Sequence, residues 1–172
     1  MNSSKKIMVI GCPGSGKSTL SRKLHEITGI PLFHLDLMNW NSDRTCVEKD
    51  VFIQRLLEVI NGKEWIVDGN YDSTLELRMK YCDTIIFLDY PVELCLQGMQ
   101  ERRGKQRPDM PWIESVDDVD SDFIEFINNF RLHSRPKILE LLEKYSDKEI
   151  YILKSMNQAN NFLTTYCSRI CK

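Results

Sequence analysis

Three glycines and a lysine near the start of the chain have the spacing of a phosphate-binding loop. Residues 11–18 read Gly-Cys-Pro-Gly-Ser-Gly-Lys-Ser and match the pattern G-x-x-x-x-G-K-[ST]. The glycines let the backbone curl until several N–H groups point at one anion. The lysine reaches the terminal phosphates of a nucleotide, and the final serine hydroxyl suits Mg²⁺. This loop predicts binding of ATP and Mg²⁺ through Gly11, Pro13, Gly14, Ser15, Gly16, Lys17, Ser18 and Thr19.

The segments on either side of the loop have the character that this motif requires. Residues 5–10 form a short, largely apolar run that predicts a buried parallel strand. Residues 18–28 predict a helix that ends before Gly29. A helix in this place adds the positive end of its dipole to the anion site. The alternative, a glycine-rich turn without a ligand, explains neither flank.

Strand and helix patterns alternate along the rest of the chain. Further strands are expected over residues 30–35, 65–67, 84–88 and 149–153. Possible helix caps occur at Thr45, Ser73 and Ser155, each with Glu or Gln three residues later, and Pro136 is expected to start or kink a helix. This alternation predicts an α/β fold with a parallel sheet and helices on both of its faces.

Acidic residues stand where three of the strands end. Asp36, Asp68 and Asp89 each follow an apolar run. Because ligands of parallel sheets bind outside the carboxyl ends of the strands, we expect these acids to converge on the phosphate loop. Ser18 and Asp68 are the candidate Mg²⁺ ligands, with Asp89 as the lesser candidate. Each acid could instead cap the helix that follows it.

Arginines form the second set of candidate catalytic residues. Arg102, Arg103 and Arg107 lie in a polar segment, and Arg131 and Arg135 are four residues apart on a predicted helix. Guanidinium groups suit the charge of a phosphoryl group in transfer, especially on a segment that closes and excludes water. The alternative is a solvated basic surface turn.

Composition limits the remaining classes of protein. With 172 residues and a formal net charge of −2, we expect one domain over residues 1–172 and no direct binding of nucleic acid. No membrane-spanning run or signal peptide is recognised, and the six cysteines show no metal-binding spacing, so we expect a cytoplasmic protein with reduced thiols. A monomer and a homodimer both remain open.

Several segments together resemble P-loop proteins of the nucleoside-monophosphate-kinase type, and within them the adenylate-kinase-related topology modulation proteins of the FlaR type. Besides the phosphate loop, the resemblance is carried by residues 31–36 with Trp40, 65–71, 84–89, 107–110 and 135–137. It implies a three-layer α/β sandwich whose five-stranded parallel sheet has the order 2-3-1-4-5. It also implies a mobile lid over about residues 102–120.

The resemblance includes one departure that concerns the phosphoryl acceptor. Adenylate kinases carry Asp-Gly-Phe-Pro-Arg after the third strand, whereas residues 68–71 here read Asp-Gly-Asn-Tyr. Arg78 could replace the missing charge. In small-molecule kinases of similar fold, an acid after the second strand contacts the acceptor hydroxyl, and it can serve as general base. The expected acceptor-binding residues are therefore Asp36, Trp40, Asp68, Gly69, Asn70, Tyr71 and Arg78, with Trp112 as a further aromatic candidate.

These patterns favour an ATP- and Mg²⁺-dependent phosphotransferase acting on a nucleotide, a nucleoside or another small hydroxyl-bearing acceptor. The expected catalytic residues are Lys17, Asp36, Arg103, Arg107, Arg131 and Arg135. One alternative is an ATP-binding regulatory protein that affects DNA topology or gene expression without significant turnover. A simple ATPase or GTPase is a third hypothesis, and the lack of an N-K-x-D motif lowers its GTPase form.

Overall fold

A computed structural model of the chain describes residues 5–117 and 121–170. Its order of elements is β1 (Lys6–Gly11), α1 (Lys17–Thr28), β2 (Leu32–His34), α2 (Leu35–Asn39), α3 (Lys49–Ile60), β3 (Trp65–Asp68), α4 (Leu75–Tyr81), β4 (Thr84–Leu88), α5 (Val92–Arg102), α6 (Ser121–Lys144), β5 (Glu149–Leu153) and α7 (Met156–Ile170). A single 3₁₀ turn, Asp72–Thr74, precedes α4. Strands and helices therefore alternate as the sequence predicts.

The five strands form one all-parallel sheet in the order β2-β3-β1-β4-β5, which confirms the expected α/β fold. Of the three inner strands, β1 and β4 are largely apolar and buried along nearly their whole length, as strands covered on both faces must be. Their register places Gly11 beside Leu88, and that of β2 and β3 places His34 beside Asp68. The carboxyl ends of these strands thus meet at one edge of the sheet.

The helices that surround the sheet pack against one another in pairs. α1 contacts α7, and α5 contacts α6. The core between the layers includes Leu24, Leu56 and Trp65, all with no exposed surface. Among the helices described, none is long and apolar enough to cross a membrane.

Several helix starts differ from the local expectation. α3 begins at Lys49 and α4 at Leu75, and neither has a side-chain cap from Thr45 or Ser73. Pro136 does not start a helix, because it lies inside α6, which runs from Ser121 to Lys144. Directly after β2, residues Leu35–Asn39 form the short helix α2.

The cap expected for α7 is confirmed. The backbone N–H of Gln158 donates to Ser155 Oγ at 3.2 Å, and the Gln158 side chain accepts from the N–H of Lys154 at 2.7 Å. Of the expected lid, residues 118–120 lie outside the described residues. The name lid is used below for residues 102–117.

Candidate functional site

The phosphate loop joins β1 to α1 and takes its shape from glycines with positive φ. Gly14 has φ 81° and Gly16 has φ 87°, a region that favours glycine. Gly14 also has no room for a side chain, because a Cβ there would lie 2.0 Å from the Cys95 carbonyl oxygen of α5. The loop backbone is therefore held tightly against α5, with its N–H groups at the start of α1.

Lys17 lies in this loop with its ammonium close to the backbone. Its Nζ donates to the carbonyl oxygens of Gly11 at 2.9 Å and Cys12 at 3.0 Å. Burial lowers the pKa of Lys17, and the negative charges of Asp68 and Asp36 act in the opposite direction. The ammonium is thus a weakly solvated positive charge next to the anion-binding backbone, which strengthens its attraction for phosphate.

A cavity of about 1300 Å³ opens above the loop. This exceeds the space that a single small ligand usually occupies, and it can accommodate two molecules side by side. The expected site residues that line it are residues 13–19 of the phosphate loop, Asp36 and Trp40, residues 68–71, and Arg103 and Arg107 of the lid.

The segment Asp68-Gly69-Asn70-Tyr71 follows β3 and lines the same cavity as the phosphate loop. Asp68 accepts a hydrogen bond from His34 Nδ1, with both carboxylate oxygens at 2.9 Å. Asn70 Oδ1 accepts from the Gly11 backbone N–H at 3.0 Å. Gly69, at φ 127°, packs so closely on Leu35 that a Cβ would lie 2.9 Å from that side chain. The segment is therefore tied both to β2 and to the phosphate loop.

Asp36 and Tyr71, both expected acceptor-binding residues, form a partly buried pair in the same cavity. The Tyr71 hydroxyl donates to Asp36 Oδ1 at 2.7 Å. Burial raises the pKa of Asp36, although this bond and the charge of Lys17 lower it. A carboxylate with a raised pKa is suited to accept a proton from a bound hydroxyl group.

Tyr71 reaches this position with a strained backbone, at φ 42°. Arg78 stabilises this strained conformation. Its guanidinium donates to the carbonyl oxygens of Gly69 at 2.8 Å and Tyr71 at 3.4 Å, and also to that of Asn70. Its Nε donates to Thr74 Oγ1 at 3.2 Å. Burial lowers the pKa of Arg78 to about 9.

Arg78 was expected to contact the acceptor, and this expectation needs correction. The side chain is fully buried, does not line the cavity, and gives its donors to the backbone of residues 69–71 and to Thr74. Its role is to support the segment that carries Tyr71.

Two further expected arginines lie outside the cavity. Arg135 forms a two-pronged ion pair with Asp89, with N···O distances of 2.7 and 2.9 Å. Arg131 is exposed on the same helix, α6. Neither arginine lines the cavity, and neither does Asp89, the lesser metal candidate. The helical spacing predicted that both arginines share a face of one helix, but it could not show that only the first turns of α6, with Phe123 and Phe126, reach the cavity.

The expected lid residues Arg102, Arg107 and Trp112 all line the cavity. Arg102 makes a two-pronged ion pair with Glu114, with both N···O distances at 2.9 Å, and Arg107 lies 3.9 Å from the same carboxylate. Trp112 meets Trp40 edge to face, with ring centroids 5.5 Å apart, and lies under the Arg44 guanidinium at 5.8 Å. The lid therefore contacts Trp40, which also lines the cavity.

Sequence reasoning missed Asp109 and Gly98, which both line the cavity. It gave no role to Asp109, whose carboxylate accepts a hydrogen bond from Ser18 Oγ at 3.0 Å. The signal in the sequence that could have identified Asp109 is its position as an acidic residue close to the arginines of the lid. Gly98 was missed too, although a Cβ there would lie 2.1 Å from the Gly14 carbonyl oxygen. Nothing local in the sequence marks that contact.

The donors of the site fit a nucleotide phosphate with Mg²⁺. Ser15 Oγ is buried and has no hydrogen-bond partner among the described residues, so it is available to an anion. The Ser18 hydroxyl and the carboxylates near it are hard oxygen ligands of the type that Mg²⁺ prefers. Within residues 5–117 and 121–170, no group of three or more His, Cys, Asp or Glu side chains could hold a metal by itself. A metal here would therefore share its ligands with bound phosphates.

Comparison with known proteins agrees with this picture of the fold. No protein-family model matches the chain. Over 88 residues it is 31% identical to the adenylate kinases of Thermotoga petrophila and Thermotoga maritima, a match that covers 49% of this chain. The match spans only 39% of the length of those two adenylate kinases.

Solved shikimate kinases are similar over nearly the whole chain. The enzyme from Bacteroides thetaiotaomicron has a TM-score of 0.56 and 16% identity, covering 99% of this chain and 100% of its own. The enzyme from Acinetobacter baumannii, solved with shikimate, has a TM-score of 0.64 and 19% identity, covering 98% and 94%. The chain therefore has the α/β fold of the P-loop kinases.

Proposed function

We propose that this protein is an ATP- and Mg²⁺-dependent phosphotransferase that transfers the γ-phosphoryl group to a small hydroxyl-bearing acceptor. The observation that carries the proposal is the shared cavity of Lys17 and the Asp36–Tyr71 pair. One end of that cavity has the donors that bind phosphate, and the other has a carboxylate that can accept a hydroxyl proton.

On the nucleotide side, the chain's own residues position and neutralise phosphate. The backbone N–H groups of residues 14–18 and the Lys17 ammonium would hold the ATP phosphates. Mg²⁺ bound near Ser18 would neutralise phosphate charge and orient the transferred group. Arg103 and Arg107, which line the cavity from the lid, would stabilise the charge that spreads over that group in the transition state.

On the acceptor side, Asp36 would receive the proton of the attacking hydroxyl. Tyr71 holds one of its oxygens, which leaves the other for the acceptor. The edge-to-face pair Trp40 and Trp112 would enclose the acceptor and exclude water when the lid closes. An acceptor that is already a phosphate needs no such base, so this geometry favours an alcohol over a nucleoside monophosphate.

The first experiment is a screen of Mg²⁺-dependent ATP consumption with nucleosides, nucleoside monophosphates and small hydroxyl metabolites. Shikimate belongs in this panel because it is the compound bound in a solved protein of the same fold. We expect turnover with one class of alcohol, lost in Lys17→Ala and retained in the matched control Lys49→Ala, whose lysine is exposed at the start of α3.

The second candidate is a nucleotide-binding regulatory protein, which the resemblance to topology modulation proteins supports. It predicts that ATP binds in a Lys17-dependent manner and that no acceptor in the panel stimulates its consumption. Absence of ATP binding by the wild-type protein would contradict both candidates.

A further inference from the structure

The lid carboxylate of Asp109 lies directly on the phosphate loop. Its Oδ2 accepts a hydrogen bond from Ser18 Oγ at 3.0 Å, across 91 positions of sequence. Only 3% of the residue is exposed. Ser18 is the residue whose hydroxyl is expected to hold Mg²⁺, so Asp109 lies where a second metal ligand would be needed.

Two arginines compensate the charge of this buried carboxylate. Arg22 Nη1 lies 3.5 Å from Oδ1, and Arg107 Nη1 lies 3.6 Å from Oδ2. Both distances are longer than a well-formed charged hydrogen bond of about 2.8 Å, so neither arginine saturates the carboxylate. Each Asp109 oxygen therefore keeps a lone pair for another partner.

A second observation indicates that a ligand belongs at this place. Ser15 Oγ and Arg22 Nη1 are both buried without a hydrogen-bond partner among the described residues. Both residues line the cavity that Asp109 also lines. Buried donors are normally satisfied, and their nearness to the loop points to missing oxygen acceptors of the kind that phosphate supplies.

The separation of the two oxygens also suits a shared metal. Mg²⁺ binds oxygens at about 2.0–2.1 Å in an octahedron, so neighbouring ligand oxygens are about 3 Å apart. The Ser18 Oγ and Asp109 Oδ2 atoms are 3.0 Å apart. Asp68, the acid expected to hold the metal, instead has both of its oxygens 2.9 Å from His34 Nδ1.

We propose that Asp109 is a ligand of the Mg²⁺ that accompanies the bound nucleotide, and that it completes the metal site with Ser18 only when the lid is closed. This inference rests on the proposed function, because the remaining ligands are nucleotide phosphates and water. A lid that contributes a ligand couples closure to the presence of the metal. Nucleotide without Mg²⁺ would then leave the lid less firmly closed.

The test measures how tightly Mn²⁺, as a paramagnetic substitute for Mg²⁺, binds to the complex of the full chain with ADP. Electron paramagnetic resonance reports free Mn²⁺ and needs no phosphoryl acceptor. We expect Asp109→Asn to raise the Mn²⁺ dissociation constant about tenfold or more, and Asp109→Glu to restore part of the affinity. Circular dichroism and thermal unfolding establish that both variants are folded.

Glu114→Gln is the matched control. It removes the same charge from the lid and disturbs the pairs with Arg102 and Arg107, but Glu114 has no contact with Ser18 in the described structure. We expect its Mn²⁺ affinity to stay within about twofold of the wild type, a much smaller change than the loss of a direct ligand causes.

The outcomes separate this inference from the proposed function. If wild-type protein binds ADP and Mn²⁺ but Asp109→Asn binds Mn²⁺ equally well, the inference fails and the proposed function stands. Equal weakening by Glu114→Gln would assign the effect to lid charge and would also overturn it. If wild-type protein binds no ADP, both fall together.

Discussion

Different interactions hold each of the two sides of the cavity in place. The phosphate loop and the segment 68–71 are fixed by backbone hydrogen bonds, close glycine contacts and the buried Arg78. Apart from the buried contact of Asp109 with Ser18, the lid is held by ion pairs such as Arg102–Glu114, in which each side chain is about one fifth exposed, and by the Trp40–Trp112 contact.

This difference concerns how easily each side can move. Partly exposed ion pairs contribute about 0–1 kcal/mol each, so breaking those of the lid costs little. Buried polar groups bonded to backbone cannot be separated so cheaply, because each broken bond leaves an unsatisfied group. The side formed by the phosphate loop and residues 68–71, called the rigid side, is therefore harder to displace than the lid. Four variants test this contrast.

The largest effect is expected at the acceptor end of the rigid side. Asp36→Asn should lower kcat by about 10²–10⁴-fold, the usual contribution of a general base, with ATP affinity retained. Steady-state kinetics and calorimetric titration of ATP check this. An unchanged kcat would remove Asp36 from the proton transfer.

The same variant sharpens the comparison through its pH dependence. Because burial raises the pKa of Asp36 in the folded protein, the ionised carboxylate destabilises the fold at neutral pH. Asp36→Asn should therefore raise Tm at pH 7–8, and this gain should vanish as pH falls below the unfolded pKa of about 4. Wild-type kcat should fall on the acid side as Asp36 becomes protonated.

Arg78→Met is expected to break the rigid side itself. It leaves the carbonyl oxygens of Gly69, Asn70 and Tyr71 without their donor, and we expect a loss of about 3–5 kcal/mol in the free energy of unfolding. Urea unfolding measures this. Lys80→Met on the same helix, where the lysine is exposed, is the control. If Arg78→Met is as stable as that control, Arg78 does not support the segment.

A smaller effect is expected where α5 meets the phosphate loop. Alanine at Gly98 would bring a Cβ within 2.1 Å of the Gly14 carbonyl oxygen. We expect Gly98→Ala to cost about 1–3 kcal/mol of stability, as overpacking does, and to weaken ATP binding because the loop must move. The control Glu93→Ala changes an exposed site on α5. Unchanged ATP affinity in Gly98→Ala would show that the loop tolerates displacement.

The smallest effect belongs to the lid. Trp112→Ala removes the edge-to-face contact with Trp40 and the Arg44 contact, together worth about 1–2 kcal/mol. We expect the KM for the acceptor to rise about tenfold, with ATP affinity and Tm nearly unchanged. A loss of Tm comparable to that of Arg78→Met would mean that lid and rigid side do not differ as described.

Much of the fold could be predicted because its signals are local and periodic. The buried runs of β1 and β4 and the glycine pattern of the phosphate loop lie in contiguous stretches, and their strand order followed from resemblance. Helix starts were less predictable. The caps expected at Thr45 and Ser73 do not form: α3 begins four residues after Thr45, and α4 begins two residues after Ser73.

The sequence by itself determined the phosphate loop, since its function depends on backbone conformations that neighbouring residues impose on one another. Only the tertiary structure decided which distant charged groups become partners. In the folded chain Arg78 donates to the backbone of residues 69–71, Arg135 pairs with Asp89, and Asp109 accepts a hydrogen bond from Ser18. Charges attract without regard to sequence spacing, so their partners are settled by how the helices and the lid pack around the sheet.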